Sequence, residues 1–236
     1  MLLDAHSHIL PSLDDGARTE NESLRLVSAL KSQGVEALIT TPHFYAAKYG
    51  FEEYHSKAVK AFQKIRRATA PFPVFLGFEV KYFKGITDYP YLKQLTLGGS
   101  RYMLLELDWS GITEGSLNEI VEFEQKTGIT PILAHIERYS FYDNYKGAVK
   151  LVENGNALAQ LNVDSLLFGV NSGEARRLLS AKRYSLLGSD THSLVGRPPN
   201  IGRIFKDMPD VAASDGFKKI EHFSDTLFAE MQNAAR

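Results

Sequence analysis

Leu2-Leu3-Asp4-Ala5-His6-Ser7-His8 begins this 236-residue chain with a short apolar run that passes directly into two histidines. The same design recurs along the sequence. Residues 35–41 run into Pro42-His43, residues 74–78 into Glu79, and residues 129–134 into His135, while residues 102–107 carry Glu106 near their end. Residues 184–188 lead into Ser189-Asp190-Thr191-His192, and residues 157–161 form a seventh run with no such residue after it. These runs are apolar throughout rather than alternating, which is the pattern of strands covered on both faces in a parallel sheet. Helical spacing fills the gaps. Thr19-Glu20-Asn21-Glu22 reads as a capping box, Leu24, Val27 and Leu30 follow at helical spacing, and Gly34 closes that helix. Tyr54, Ala58, Ala61, Phe62 and Ile65 form a second stripe, and residues 113–127, 143–154 and 172–182 supply further helical segments. Phe217, Ile220, Leu227, Phe228 and Met231 mark a closing helix. Seven strand–helix units of about 34 residues predict an α/β fold in one domain spanning residues 1–236, as a small β/α barrel or an open doubly wound sheet.

Composition narrows the chemistry. There is no cysteine, so disulfides, thiolate zinc sites, iron–sulfur clusters and cysteine nucleophiles are excluded. Lys and Arg number 27 against 28 Asp and Glu, a balance that gives no electrostatic footing for nucleic acid. No apolar run approaches the roughly 20 residues of a membrane span. The first residues lack the basic and long apolar regions of a signal peptide. The expectation is a cytoplasmic chain with no membrane insertion and no nucleic-acid partner.

The strand ends concentrate metal-type side chains. In parallel β/α folds the carboxyl ends of the strands form the active face. Five of the seven histidines (His6, His8, His43, His135 and His192) fall there, together with Glu79, Glu106 and Asp190. On an extended chain residues i and i+2 point the same way, so His6 with His8, and Asp190 with His192, can converge on one ion. The Asp14-Asp15-Gly16 turn adds a further carboxylate, with either aspartate able to serve. This set exceeds the four to six positions that one transition metal offers, so at least two ions are expected. Nitrogen and oxygen donors without sulfur suit manganese, iron or zinc. His55 and His222 fall in helical segments and read as packing or surface residues.

Asp4-Ala5-His6-Ser7-His8-Ile9-Leu10-Pro11, Leu13-Asp14-Asp15-Gly16, Thr41-Pro42-His43, His135-Ile136-Glu137-Arg138-Tyr139, Gly188-Ser189-Asp190-Thr191-His192 and Gly196-Arg197-Pro198-Pro199-Asn200 resemble the polymerase-and-histidinol-phosphatase (PHP) superfamily. Within it they are most similar to the bacterial manganese-dependent protein tyrosine phosphatases of capsule and exopolysaccharide operons, the CpsB/YwqE group. The resemblance covers residues 4 to about 200. It implies a distorted (β/α)7, TIM-like PHP barrel with three metal ions, manganese first and iron, zinc or magnesium as other occupants. Carried over by motif, His6, His8, Glu79 and Asp190 would hold one ion. Glu79 would bridge to a second, completed by Glu106 and His135, and Asp15, His43 and His192 would hold the third. The chain departs from the pattern at Phe44, where related sequences often have a polar or basic residue.

The activity so implied is hydrolysis of phosphotyrosine on a protein, the substrate being the tyrosine-rich tail of a bacterial autophosphorylating kinase that governs capsule or exopolysaccharide synthesis. Clustered divalent ions lower the pKa of water from 15.7 toward about 7, so the expected nucleophile is a metal-bridging hydroxide attacking phosphorus in line. Arg138 and Arg197 follow ligands within loops of the active face. A guanidinium binds phosphate through two parallel hydrogen bonds, which makes both candidates for the catalytic clamp, with a structural salt bridge as the other reading. The aromatic loops with Phe44, Tyr45, Tyr49 and Phe51, and with Tyr82, Phe83, Tyr89 and Tyr91, either wall a phosphotyrosine groove or pack on the barrel rim. Two other functions fit the same motifs: a small-molecule phosphatase such as histidinol-phosphatase, and a non-catalytic metal-binding regulator.

Overall fold

Strands that are apolar on both faces must be covered on both faces, and this chain does so by rolling them into a barrel. The computed structural model describes residues 1–235. Its strands are β1 (Leu3–Asp4), β2 (Ala37–Thr40), β3 (His43–Phe44), β4 (Val74–Leu76), β5 (Glu79–Lys81), β6 (Tyr102–Glu106), β7 (Thr130–Leu133), β8 (Leu158–Asn162) and β9 (Leu186–Gly188). Every strand pairing is parallel. β2 and β3 are two parts of one path interrupted at Thr41-Pro42, and β4 and β5 of another interrupted at Gly77-Phe78. Backbone bonds continue across the interruptions, from Gly77 N to Thr40 O at 2.9 Å and from Glu79 N to Pro42 O at 3.2 Å. Seven strand paths result, matching the seven apolar runs.

The seventh path returns to the first. Ala5 N donates to Leu187 O at 3.0 Å, Asp190 N to His6 O at 2.8 Å and His8 N to Thr191 O at 2.9 Å, and Ser7 pairs with Thr191. Buried Asp4 reinforces the seam by accepting from Ser189 N at 2.9 Å and from Ser189 Oγ at 2.7 Å. The fold is therefore a distorted, closed (β/α)7 barrel and not an open sheet.

The helices are α1 (Glu20–Ser32), α2 (Phe51–Thr69), α3 (Glu114–Val121), α4 (Phe123–Thr127), α5 (Tyr145–Glu153), α6 (Val163–Leu167), α7 (Ser172–Ser180), α8 (Gly202–Asp207), α9 (Pro209–Ala212) and α10 (Asp215–Ala234). The Thr19 hydroxyl caps Glu22 N at 3.2 Å, but the Glu22 carboxylate reaches back to Arg18 N, one residue before the position a capping box uses. Gly34 closes α1 with a φ of 91°. The helix expected over residues 113–127 is divided at Glu122, whose ψ of −6° turns the chain so that both Ile120 and Phe123 are buried. The helices α6, α8 and α9 are too short to register as periodic stripes. Among the described residues no helix is long and apolar enough to cross a membrane.

Packing separates into two cores. One lies between the strands and the surrounding helices and includes Leu38, Val74, Met103, Leu105, Leu133, Ala159 and Leu187. The other fills the barrel itself, with Leu3, Ala37, Ile39, Tyr102, Leu104, Ile132 and Leu186 joined by Leu227 and Met231 of α10. That helix plugs the amino-terminal end with Leu227 and Met231, whereas Phe217 and Ile220 of the predicted stripe pack into the outer core and Phe228 lies only partly buried, edge-on to Phe75. Alternation along the strands then divides the interior by height. The inward positions of β6 run Tyr102, Leu104, Glu106 and those of β8 run Leu158, Gln160, Asn162, from apolar below to polar at the carboxyl end. Truncating the plug with Leu227→Ala should cost about 2–5 kcal/mol, as a buried leucine does when its cavity cannot collapse. Urea unfolding would show this as a lower midpoint at unchanged slope, and an unchanged midpoint would mean that α10 does not seal the barrel.

Candidate metal centre

The polar carboxyl end of the barrel gathers nine side chains whose donor atoms face one another. His8, Asp15, His43 and His192 form one group; His6, His8 and Asp190 another; His6, Glu79 and His135 a third; and His43, Glu79 and Glu106 a fourth. Each comes from the end of a strand path or the loop after it, so neighbours in the site stand up to about 190 residues apart in the chain. Glu79 is central. Its Oε2 lies 2.8 Å from His43 Nδ1, 3.2 Å from His6 Nε2 and 3.3 Å from His8 Nε2, and its Oε1 lies 3.0 Å from His135 Nε2. Asp190 Oδ1 stands 3.4 Å from His8 Nε2 and 3.6 Å from His6 Nε2. Asp15 Oδ1 is 3.3 Å from His192 Nε2 and 3.6 Å from His43 Nε2.

The arrangement fits cations rather than a hydrogen-bond network. Glu79 Oε2 and His43 Nδ1 are both buried and 2.8 Å apart, yet neither has a well-aligned hydrogen-bond partner. His6 Nε2 and His8 Nε2 stand 3.1 Å apart, a distance two neutral imidazoles cannot both satisfy as acceptors. Burial disfavours charge on Glu79, but His6, His135 and His43 hold its carboxyl well below the usual carboxylate range. The same competition leaves Asp190 far below its ordinary value, with burial opposed by His6, His8, Arg138 and Arg197. Burial opposes charge on His6 and His8 too, and is overcome by Glu79 and Asp190 around His6 and by Asp14 beside His8. A divalent ion would answer the same carboxylates, since metal binding and protonation compete for the same lone pairs. Burial and the neighbouring His8 push His192 down to about 4, and its Nε2 accepts from Arg197 Nη1 at 2.8 Å.

A ring of residues behind these donors fixes their aim. Asp14 Oδ2 sits 2.7 Å from His8 Nδ1 and accepts from His43 N at 3.0 Å, so the two adjacent aspartates divide the work: Asp14 orients His8 from outside and Asp15 faces the centre. Gln160 Oε1 sits 3.1 Å from His6 Nδ1 and accepts from His135 N at 3.0 Å. His192 Nδ1 donates to Asp190 O at 2.9 Å. A side chain at Gly188 would place its Cβ 2.4 Å from His6 Cβ, so glycine there lets His6 lie against β9. His135 and Asp190 both hold left-handed backbone, with φ of 31° and 53°. Non-glycine residues pay about 1–3 kcal/mol for such conformations, which concentrate at functional sites.

The expected residues are all gathered here, with differences in how they group. Glu106 groups with His43 and Glu79, and its Oε1 stands 3.9 Å from His135 Nε2. Trp109 Nε1 donates to that same oxygen at 2.6 Å and draws it outward. Arg138 Nη1 donates to Asp190 Oδ2 at 2.8 Å, and Arg197 Nη2 donates to the same atom. The Arg138 side chain is 23% exposed and that of Arg197 38%, so both guanidinium groups border the mouth. Glu137 makes no ion pair with Arg138; it is buried, accepting from Asn162 N and the Tyr184 hydroxyl at 3.0 Å each. Gln160, Asn162 and Trp109 were not singled out by sequence, and Asp14 was offered only as an alternative to Asp15 for the same ligand position. For Gln160 and Asn162 a signal existed in their position, two polar residues near the end of the one run that carried no ligand.

Most of the aromatic residues pack on the rim. Phe44 is fully buried against Phe51, Tyr54, Phe78 and Tyr89, so its departure from the related sequences lies outside the bowl. Phe51 stacks on Tyr91 at 4.0 Å, Tyr49 on Tyr54 at 4.3 Å, and Tyr82 donates to Glu119. Tyr45 is the exception, its ring 5.3 Å from His43. Trp109 also borders the site, 5.7 Å from His135 and stacked on Tyr139 at 4.7 Å. His55 packs on Phe51 and His222 is exposed on α10.

Residues 2–223 match the family described as Capsular polysaccharide synthesis, CpsB/CapC. Tyrosine-protein phosphatase CpsB of Streptococcus agalactiae is 30% identical over 222 residues, covering 87% of this chain and 88% of that protein. Tyrosine-protein phosphatase YwqE of Bacillus subtilis is 28% identical over 203 residues, covering 83% and 79%. The fold is that of a solved structure from the pair YwqE of Bacillus subtilis and CpsB of Streptococcus pneumoniae, described as unique metal-dependent tyrosine phosphatases. That likeness has a TM-score of 0.79 at 24% identity and covers 98% of this chain and 95% of that one.

Because Asp14 orients a donor without facing the centre itself, Asp14→Ala should weaken divalent metal binding by about 10–100-fold, the usual effect of losing such a support. Calorimetric titration of chelator-treated protein with manganese measures this directly, and an unchanged affinity would remove Asp14 from the role.

Proposed function

This chain belongs to the CpsB/CapC capsular polysaccharide synthesis family, and on that premise we propose that it is a metal-dependent protein tyrosine phosphatase whose residues 1–236 form one catalytic domain. The observation that carries the reading is the meeting of nine nitrogen and oxygen donors with two arginines at the carboxyl end of one barrel. His6, His8, Glu79 and Asp190 would hold one ion, Glu79, Glu106 and His135 a second, and Asp15, His43 and His192 a third. Manganese is the ion we assign, as the resemblance to the CpsB/YwqE group implies; the sulfur-free donor set suits iron or zinc as well, and magnesium is a further occupant. Such ions, when bound, acidify water and offset charge on phosphoryl oxygens.

The chain's own residues do the rest. Asp190 divides its carboxylate, Oδ1 toward the imidazoles and Oδ2 toward Arg138 and Arg197. This anchors both guanidinium groups at the mouth; Arg197 is held further by Nη1 on His192 Nε2, while Arg138 keeps N–H donors beyond Nη1 to bind a phosphoryl group in the paired geometry that arginine offers. Tyr45 beside His43 and Trp109 beside His135 supply apolar faces for an aryl leaving group. A phenol has a pKa near 10, so its departure demands less protonation than that of an alkyl alcohol. The substrate we assign is phosphotyrosine on a protein, in particular the tyrosine-rich tail of a bacterial autophosphorylating kinase of capsule or exopolysaccharide synthesis, in keeping with the family's description.

Parallel assays on a phosphotyrosyl peptide and histidinol phosphate test the reading. The peptide should be turned over faster, the rate should vanish with chelator and return with manganese, and thiol alkylation should leave it unchanged because the chain has no cysteine. Preference for histidinol phosphate would overturn the tyrosine assignment, and turnover in chelator would overturn the metal role. Arg138→Ala should lower kcat by about 10²-fold or more, the size of one lost transition-state contact. Metal content should be retained, because Arg197 and Asn162 still hold Asp190 Oδ2. Full activity in that variant would end the clamp assignment.

A further inference from the structure

Beside the centre a cleft of about 440 Å³ opens between the loop that follows β8 and the loop that follows β9. Arg138 lines it and also reaches Asp190 in the metal cage, so cleft and centre share a wall. Phe168, Val170, Pro198 and Pro199 contribute apolar surface. Phe168 is 54% and Val170 82% exposed, and the Arg203 guanidinium lies 4.6 Å from the centroid of the Phe168 ring, holding it at the edge. Asp164 and Asn200 are hydrogen-bonded to each other in the cleft wall.

The exposed apolar residues are unevenly distributed. Among the described residues the large ones are Trp109, Val121, Phe141, Phe168, Val170, Val195 and Phe205, and all but Val121 and Phe205 stand on loops after β6 to β9, around the mouth. Apolar side chains kept in water gain nothing in the isolated fold, and their concentration on one face marks a surface that binds.

We propose that this cleft receives the polypeptide flanking the phosphotyrosine, with an apolar or aromatic neighbour of that tyrosine seated against Phe168, Val170 and the Pro198-Pro199 pair. The proposal rests on the phosphatase reading above. Continuity selects the occupant: a phosphoryl group held by Arg138 brings the chain beside its tyrosine to the inner end of the cleft. A compact phosphomonoester ends at the bowl and leaves the cleft unused, so the cleft favours a protein substrate over a small one.

Three substrates test this: p-nitrophenyl phosphate, a phosphotyrosyl peptide with apolar residues on both sides of the tyrosine, and the same peptide with glycine in those places. The apolar peptide should exceed the glycine peptide in kcat/KM by about tenfold, the order of one apolar side chain docked in a pocket. In the Phe168→Ser/Val170→Ser variant that ratio should fall to near one through KM, with p-nitrophenyl phosphate turnover unchanged. Equal rates on the two peptides in the unaltered protein, or equal losses on all three substrates in the variant, would overturn the proposal. A concentration-dependent dimer that the variant dissolves while the peptide ratio persists would assign this surface to a second copy instead. Failure of the unaltered protein on every substrate would overturn the phosphatase reading and the cleft with it, whereas turnover of p-nitrophenyl phosphate without peptide preference removes the cleft alone.

Discussion

Glu79 carries a carboxylate into the barrel interior with 1% of its surface exposed, and the rest of the site is arranged around that charge. Burying an uncompensated carboxylate is among the most expensive things a fold can do. Here His6 and His8 from the first strand path, His43 from the second and His135 from the fifth all reach its two oxygens. With the third path, which carries Glu79 itself, four of the seven paths are thereby tied together. The compensation is still incomplete as hydrogen bonding, since Glu79 Oε2 has no donor aligned on it. A buried carboxylate met by four imidazoles, with one oxygen lacking an aligned donor, is an arrangement that suits cations.

The barrel supports this by keeping its two ends chemically different. Leu227 and Met231 close the lower end with apolar packing, and the inward positions of the strands turn polar only in the upper layer. The closing seam between the first and seventh paths is itself part of the site. Asp4 and Ser189 join the strands one residue away from Asp190, and Gly188 leaves room for His6. Stability and function are not separable at this seam, because the bonds that close the barrel also set the position of a donor.

The mouth is organised from the same atoms. Asp190 Oδ2 holds two guanidinium groups where an anion would enter, while Trp109 holds Glu106 by a hydrogen bond and stacks toward His135. Charge recognition is thus rigid at the centre. The apolar surface lies outward, on loops where side chains such as Phe168 and Val170 remain in solvent. This division suits a phosphorylated polypeptide, whose phosphate needs a fixed clamp and whose flanking chain needs only complementary surface.

Much of this was legible in the sequence. Continuous apolar runs and helical stripes are local properties, and a histidine or carboxylate at the end of such a run lies on the active face of any parallel β/α fold; Leu3, Ile39, Leu104 and Ile132 therefore predicted strands, and His6, His43, Glu79 and His135 a metal centre. Closure was not legible, because the Asp4–Ser189 tie joins residues 185 apart and an open sheet would have used the same runs. Nor were the roles of near-identical neighbours. Asp14 and Asp15 are the same residue in the same turn, and only the placement of His8 and His192 beside them decides which one orients a ring and which one faces the centre. The aromatic residues of residues 44–51 and 82–91 read equally as groove or as packing, and the barrel rim settled most of them as packing while bringing Trp109 to the bowl from a segment with no pattern of its own. Residue type and period determined what chemistry the strand ends could perform; the tertiary fold alone decided which atoms meet, since meeting depends on distances between segments that the sequence separates.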